Sequence, residues 1–240
     1  YKLTYETTGE EYIAIDLYDE EIRYVDYLVG QVIKKLKELK IDEETLIIIT
    51  SDHGEQLGQH DYFLHYKIIE PDIHIPIILY SSSLNKKGKT VNGFVQHIDI
   101  VPTILSYFEI EKPSHLEGIN LFEIEKGRDK IFVEGHEYRG IVEKEWKYIR
   151  SYLKGEEELY NLETDPMEEI NIAEKEKSKL EEMREELDTW VWKNLEGKAD
   201  PLFAEFGRWA SEWSKHFKYT HNVMRPKPAF TKYNKGGDKL

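Results

Sequence analysis

Cysteine is absent from the 240 residues, which removes disulfide cross-links, thiolate metal ligands and a cysteine nucleophile together. Positive charge is in short supply: 33 lysines and arginines face 47 aspartates and glutamates, a formal net charge of -14. That surplus argues against general binding to nucleic acid or to an anionic membrane surface. A small anionic substrate then requires local positive charge or a metal ion. No apolar run approaches the roughly 20 residues of a membrane span, and no cleavable signal pattern stands at the amino end, so the compartment stays open. No internal repeat is found. The first residue is Tyr1 and not Met, and the polar, threonine-rich opening stretch 5–11 reads as the interior of a longer protein.

A chain of this length has ample core for one large domain or a domain and a half. From 16 to 40, apolar residues fall at Ile22, Val25, Leu28, Val29, Val32, Ile33, Leu36 and Leu39, the three-and-four spacing of an amphipathic helix. Lys34, Lys35, Lys37 and Lys40 load its last turns, complementing the helix dipole. A short loop at 41–44 leads to the β-branched run 46–49, which reads as a central strand of a parallel sheet. A second core strand is expected at 75–80, followed by a turn at 85–89. Asp99 then precedes Ile100, Val101, Ile104, Leu105 and Phe108, which predicts a short helix with Asp99 as its N-cap and Pro102 in its first turn. Alternating helices and strands indicate an α/β layer structure.

After about Glu125 the texture changes. The segments 131–133, 140–142, 146–152 and 158–160 are strand-like and separated by turns, as in a small antiparallel sheet. Asp165-Pro166 marks a turn, and a charged helix is expected at 173–194 with Leu180, Met183, Leu187 and Val191 on one face. The expected organisation is therefore 1–125 as α/β core, 126–196 as an α+β subdomain and 197–240 as an aromatic-rich tail. Phe203, Phe206, Trp209, Trp213, Phe217 and Tyr219 give that tail a docking face, which would serve the protein body or a second copy of the chain.

The most informative residues are 50–59, Thr-Ser-Asp-His-Gly-Glu-Gln-Leu-Gly-Gln. They attach Asp52 and His53 to the end of an apolar strand, where α/β sheets place their ligand crevices. One hard oxygen and one borderline nitrogen suit divalent cations from magnesium and calcium to manganese and zinc. The bland alternative is that Asp52 caps the next turn and His53 lies on the surface.

Five segments in order resemble the sulfatase family of the alkaline phosphatase superfamily, over roughly 15–195. They are Tyr-Asp-Glu-Glu-Ile-Arg-Tyr-Val-Asp at 18–26, Thr-Ser-Asp-His-Gly-Glu at 50–55, His-Tyr-Lys at 65–67, His-Ile-Asp-Ile-Val-Pro-Thr at 97–103, and Trp-Lys-Tyr-Ile at 146–149 with Glu-Leu-Tyr-Asn-Leu-Glu-Thr-Asp-Pro at 158–166. The resemblance implies an alkaline-phosphatase-like α/β/α core, here its second half, and a metal-dependent hydrolase of sulfate esters. It implies a nucleophile that is a hydrated formylglycine made within a Cys/Ser-x-Pro-x-Arg motif. No such motif occurs in this sequence, so the chain reads as the carboxy-terminal part of a sulfatase, inactive alone.

By the same resemblance Asp52 and His53 correspond to metal ligands, for one divalent ion with calcium the first expectation and magnesium, manganese or zinc the others. Lys67 corresponds to the lysine that touches the sulfate and its bridging oxygen. Physically, an ammonium there would neutralise charge on the departing oxygen. His65, two residues away, would face the same cleft in an extended segment and is a second catalytic candidate. His60 is read as orienting or structural, His97 and Asp99 as structural, and His136 as a remote candidate for substrate contact; His74, His115, His216 and His221 have no motif around them. The expected partner is a small-molecule or carbohydrate sulfate ester. Two alternatives stand: a phosphodiesterase or phosphonate monoester hydrolase of the same superfamily, and a non-catalytic accessory or binding subunit.

Overall fold

A computed structural model describes residues 10–61, 63–84 and 88–203. The chain divides into two compact units, Tyr1–Asp129 and Lys130–Leu240. Of the aromatic tail only Phe203 is among the described residues; Phe206, Trp209, Trp213, Phe217 and Tyr219 lie outside them, as do His216 and His221.

The first unit opens with α1, Glu10–Leu39. It ends in a paired-turn motif, with Ile41 N–H donating to Leu36 O at 3.1 Å and Lys40 N–H to Lys37 O at 3.0 Å, while Lys40 takes a left-handed φ of 58°. That closure satisfies carbonyls the helix would otherwise leave open. The amphipathic pattern forms the helix, but much of its apolar face stays uncovered: Ile22, Val25, Leu28, Val32 and Leu39 are 43% to 57% exposed.

Strand β1, Ile47–Thr50, forms where its β-branched run predicts, and β4, Ile77–Tyr80, follows from the second run. The two pair antiparallel, Ile47 opposite Tyr80 and Thr50 opposite Ile77. This corrects the expectation that β1 is a parallel strand: among the described residues its ladder partner runs the other way. The run of isoleucines specifies burial and extension, whereas direction is set by the partner, which a local pattern does not contain. Between them lie two short strands, β2, Gln56–Leu57, and β3, Phe63–Leu64, also antiparallel, and the single helical turn α2, Glu70–Ile73.

Helix α3, Ile100–Tyr107, carries Pro102 in its first turn as expected. Asp99 occupies the N-cap position but its side chain does not cap α3, which corrects the second expectation. A 3-10 turn, His97–Asp99, runs straight into the helix, and His97 O already accepts from Ile100 N–H. The Asp99 carboxylate is thereby released for other donors: Gln96 N–H at 2.8 Å, Ile119 N–H at 2.8 Å and both terminal nitrogens of Arg128 at 2.7 Å.

The second unit is a four-stranded antiparallel meander, β5 (Lys130–Gly135), β6 (Tyr138–Glu143), β7 (Trp146–Ser151) and β8 (Glu157–Asn161), with α4, Lys177–Leu195, against it. His136 takes a left-handed φ of 50° in the two-residue turn between β5 and β6. The helix begins later than the expected 173, because residues 173–176 form a turn in which Asn171 Oδ1 accepts from Ala173 N–H and Ile172 O accepts from Lys175 and Glu176. Its anticipated face is the core: Leu180, Met183, Leu187 and Val191 pack with Ile141, Tyr148 and Leu159, and Trp190 stacks on Phe132 at 4.7 Å. Beneath this sheet Lys147 and Glu168 form a fully buried ion pair at 2.6 Å. No helix among the described residues is long and apolar enough to cross a membrane.

Candidate metal centre

Strand β1 ends at Thr50 and delivers Ser51, Asp52 and His53 onto a loop. Ser51 Oγ donates to His53 O at 2.6 Å, and Asp52 Oδ1 accepts the His53 backbone N–H at 3.0 Å. That backbone donor, the foremost cause, holds the Asp52 carboxyl below its ordinary pKa, so the group is an anion at neutral pH. Its side chain is 86% exposed. His53 Nδ1 lies 2.7 Å from the Gly54 carbonyl oxygen. A carbonyl can only accept, so Nδ1 carries a proton, and Nε2 is the ring nitrogen turned toward Asp52. Nε2 is 3.6 Å from Asp52 Oδ2, which aims one oxygen and one nitrogen donor into the same small volume.

Further contacts fix this loop. Gly54 N–H donates to Asp72 O at 2.7 Å, and a Cβ at position 54 would stand 2.0 Å from Pro71 O. Only glycine allows that approach. The buried Asp72 also accepts from Gln56 Nε2 at 2.6 Å and from Lys67 N–H at 3.0 Å. Asp72 therefore ties the Asp52 loop to the segment that carries Lys67, and burial raises its carboxyl pKa against the pull of those donors. From the other side His97 Nε2 meets Ser51 O at 2.7 Å. The 3-10 turn holding His97 is itself anchored by the fully buried Asp99 and its two-pronged bond to Arg128.

Pairing of β2 with β3 folds residues 63–67 back over the loop. His65 stacks on His53 with ring centroids 3.7 Å apart, and its Nδ1 is 3.2 Å from Glu55 Oε2. His53, Glu55 and His65 each offer a ligand atom, and these atoms lie within 4.8 Å of one another. The donor set of two imidazoles and carboxylates fits a divalent metal. Lys67 is half-buried two residues beyond His65, and His60 takes a left-handed φ of 55° in the turn between β2 and β3. His74 is engaged with Glu70 at 2.8 Å, away from this cluster.

Asp72 was not legible as a site residue from the sequence, and Glu55 was read only as part of a motif. The one available signal for Asp72 was a charged residue in a stretch rich in isoleucine, 68–77, which Glu70 shares. The grip of His97 on the strand end required a contact 46 residues distant, for which the sequence offers no sign.

Comparison with known proteins places these features in context. The sulfatase family profile matches residues 1–110, and that of the N-sulphoglucosamine sulphohydrolase C-terminal region matches residues 58–196. An arylsulfatase of Clostridium perfringens is 28% identical over 195 residues, covering 76% of this chain and 40% of its own length. The structure of BT4656 in complex with its substrate D-glucosamine-2-N,6-O-disulfate superimposes with a TM-score of 0.64 at 25% identity, over 74% of this chain and 40% of that one. The phosphonate monoester hydrolase of Agrobacterium radiobacter gives a TM-score of 0.61 at 25% identity, over 70% of this chain and 39% of that one. The chain thus spans less than half the length of the curated relatives it matches. With one profile covering its first half and a second running through the antiparallel sheet to α4, this α/β chain of alkaline-phosphatase-like fold belongs to the sulfatase family.

Proposed function

We propose that the complete protein is a metal-dependent sulfuric ester hydrolase and that these 240 residues supply the carboxy-terminal half of its site. The observation that carries this reading is the approach of Asp52 Oδ2 to His53 Nε2, 3.6 Å, just past the end of β1, with His53 Nδ1 held by the Gly54 carbonyl. A bound divalent ion would polarise the sulfate and screen its charge. Asp52 and His53 would hold the ion, and the Asp72 bonds fix the backbone from which each projects. Lys67 places an ammonium beside the substrate, where it neutralises negative charge on the leaving oxygen as the ester bond breaks. The attacking group is expected outside these residues, since no Cys/Ser-x-Pro-x-Arg motif occurs among them.

Carbohydrate sulfate esters are the proposed substrate class, because BT4656 takes a disulfated glucosamine. A second reading, hydrolysis of phosphonate monoesters or phosphodiesters, draws support from the phosphonate monoester hydrolase, which is likewise 25% identical. The accessory-subunit reading is weaker, since a scaffold has no use for donors this closely grouped. The complete protein, assayed side by side on an aryl sulfate, a sulfated amino sugar and a phenyl phosphonate monoester, decides: a higher kcat/KM on the sulfates supports the sulfatase reading, and a higher value on the phosphonate overturns it.

A further inference from the structure

We propose that residues 204–217 dock on the second unit of their own chain, continuing a helix whose first turn the structure already seats there. Both matched family profiles end at or before residue 196, so this element lies beyond the region they describe.

The chain reverses after α4. Glu196 and Gly197 both take left-handed φ values, 49° and 76°, and Lys198 N–H donates to Leu195 O at 2.7 Å. Asp200 is then buried, and Arg139 on β6 donates to its carboxylate through both terminal nitrogens at 2.6 and 2.7 Å. Arg139 stands opposite Arg150 on β7, and Arg150 donates to Asp188 of α4 at 2.8 Å. Each of the two guanidiniums lies 5.1 Å from the centre of the Tyr152 ring. One cluster thus holds Asp188, within α4, and Asp200, beyond its end: the chain has doubled back beside the helix. A two-pronged bond between buried charges fixes direction as well as position.

A helix starts at this anchor. Asp200 Oδ1 accepts from Leu202 N–H at 3.0 Å and Pro201 follows it, a side-chain N-cap with proline in the first helical position; residues 201–203 are helical. Carried forward at about 100° per residue, the sequence places Phe203, Phe206, Trp209, Trp213 and Phe217 on one stripe, with Arg208 and Lys215 on the opposite side. The first member of that stripe is in place, for Phe203 meets the Tyr152 ring edge-on at 5.9 Å. Because the stripe is a single face, seating Phe203 on the second unit turns the rest the same way. Charge favours the same partner: residues 204–240 hold eight lysines and arginines against three acidic residues, whereas 130–203 hold 12 against 20. A second copy of the chain presents the same charges, but the Asp200 anchor keeps the segment beside its own unit at high effective concentration.

The test is hydrogen exchange of the 240-residue chain at two concentrations, read by mass spectrometry, with sedimentation for size. Amides of 204–217 should exchange at least about tenfold more slowly than in an unstructured peptide, equally at both concentrations and in a monomer. Asp200→Asn keeps a capping side chain and loses the charge that Arg139 grips, and Trp213→Ala removes one aromatic from the stripe. Each should speed exchange of 204–217 by at least about threefold, while continued protection of the α4 amides shows that the unit remains folded. Arg208→Ala, on the opposite side, should not. Exchange of 204–217 at the unstructured rate in the parent chain, or protection unchanged in both variants, overturns the proposal. Protection that rises with concentration, together with a dimer in sedimentation, overturns it in favour of docking on a second copy.

Discussion

Arg128 grips Asp99 with both terminal nitrogens at 2.7 Å across 29 residues of sequence. Asp99 is fully buried and the Arg128 side chain is 22% exposed. Burial alone would raise the Asp99 carboxyl pKa; the Arg128 fork together with the Ile119 and Gln96 N–H groups outweighs it and holds the value low. The pair sits under the turn whose His97 supports the Ser51 carbonyl.

Arg128→Ala should therefore lower stability at neutral pH by about 3 kcal/mol, because it leaves a buried carboxylate unpaired. A depressed folded-state pKa contributes stability that is present above the ordinary carboxylate range and is lost as pH falls through the folded value. The gap between parent and variant should thus narrow on acidification. Chemical denaturation at several pH values from neutral down through and below the ordinary carboxylate range checks this; a gap independent of pH would mean that Arg128 acts by packing alone.

Gly54→Ala should fail through sterics. A methyl group 2.0 Å from the Pro71 carbonyl oxygen must displace backbone, and overpacking of this sort costs about 3 kcal/mol. It should also loosen the Gly54 bond to Asp72, so that affinity for a divalent ion falls together with melting temperature. A variant with unchanged melting temperature and unchanged metal affinity would show that the loop has room to spare.

In the second unit, Leu187→Ala and Met183→Ala remove fully buried side chains and should each cost about 2–5 kcal/mol. Trp192, on the same helix but 65% exposed, should cost less than about 0.5 kcal/mol on replacement by alanine. Equilibrium unfolding of the three variants orders them; parity between Trp192 and Leu187 would contradict the packing described for α4.

The 240-residue chain should hydrolyse no aryl sulfate above background with any divalent ion, since binding and electrostatic help without an attacking group give little turnover. Robust, saturable hydrolysis by the purified chain would reveal a nucleophile among these residues.

Two substitutions in the complete protein separate metal holding from substrate contact. Asp52→Ala should lower metal content and rate together. Lys67→Ala should leave metal content intact and reduce the rate by roughly 100-fold, the effect of removing one transition-state donor. Elemental analysis beside a rate assay reads both, and a Lys67 variant of normal rate removes that residue from the mechanism.

Much of this fold was legible along the chain. The isoleucines at 47–49 and the spacing of Leu180, Met183, Leu187 and Val191 mark a strand and a helix, and the latter face is the one buried. Short strand-like runs separated by turns gave the meander of β5 to β8, because antiparallel neighbours joined by tight turns need only local information. The position of Asp52 and His53 just past a strand was legible for the same reason.

Other features turn on partners remote in sequence. The direction of β1 depends on β4, thirty residues on, and the exposed face of α1 shows that an amphipathic pattern specifies a helix without specifying what covers it. Asp99 looked like a cap because its neighbours permit one; an arginine 29 residues away and a 3-10 turn supplying carbonyls gave its carboxylate another task. Sequence alone determined which residues could supply metal-binding chemistry and which elements would carry them, since propensity, periodicity and donor type are properties of short stretches. Only the tertiary structure decided that His65 stacks on His53, that Glu55 joins them and that Asp72 ties Gly54 and Gln56 to Lys67. Contacts of a few ångströms between segments are set by how strands pair and side chains pack, and no local pattern encodes that register.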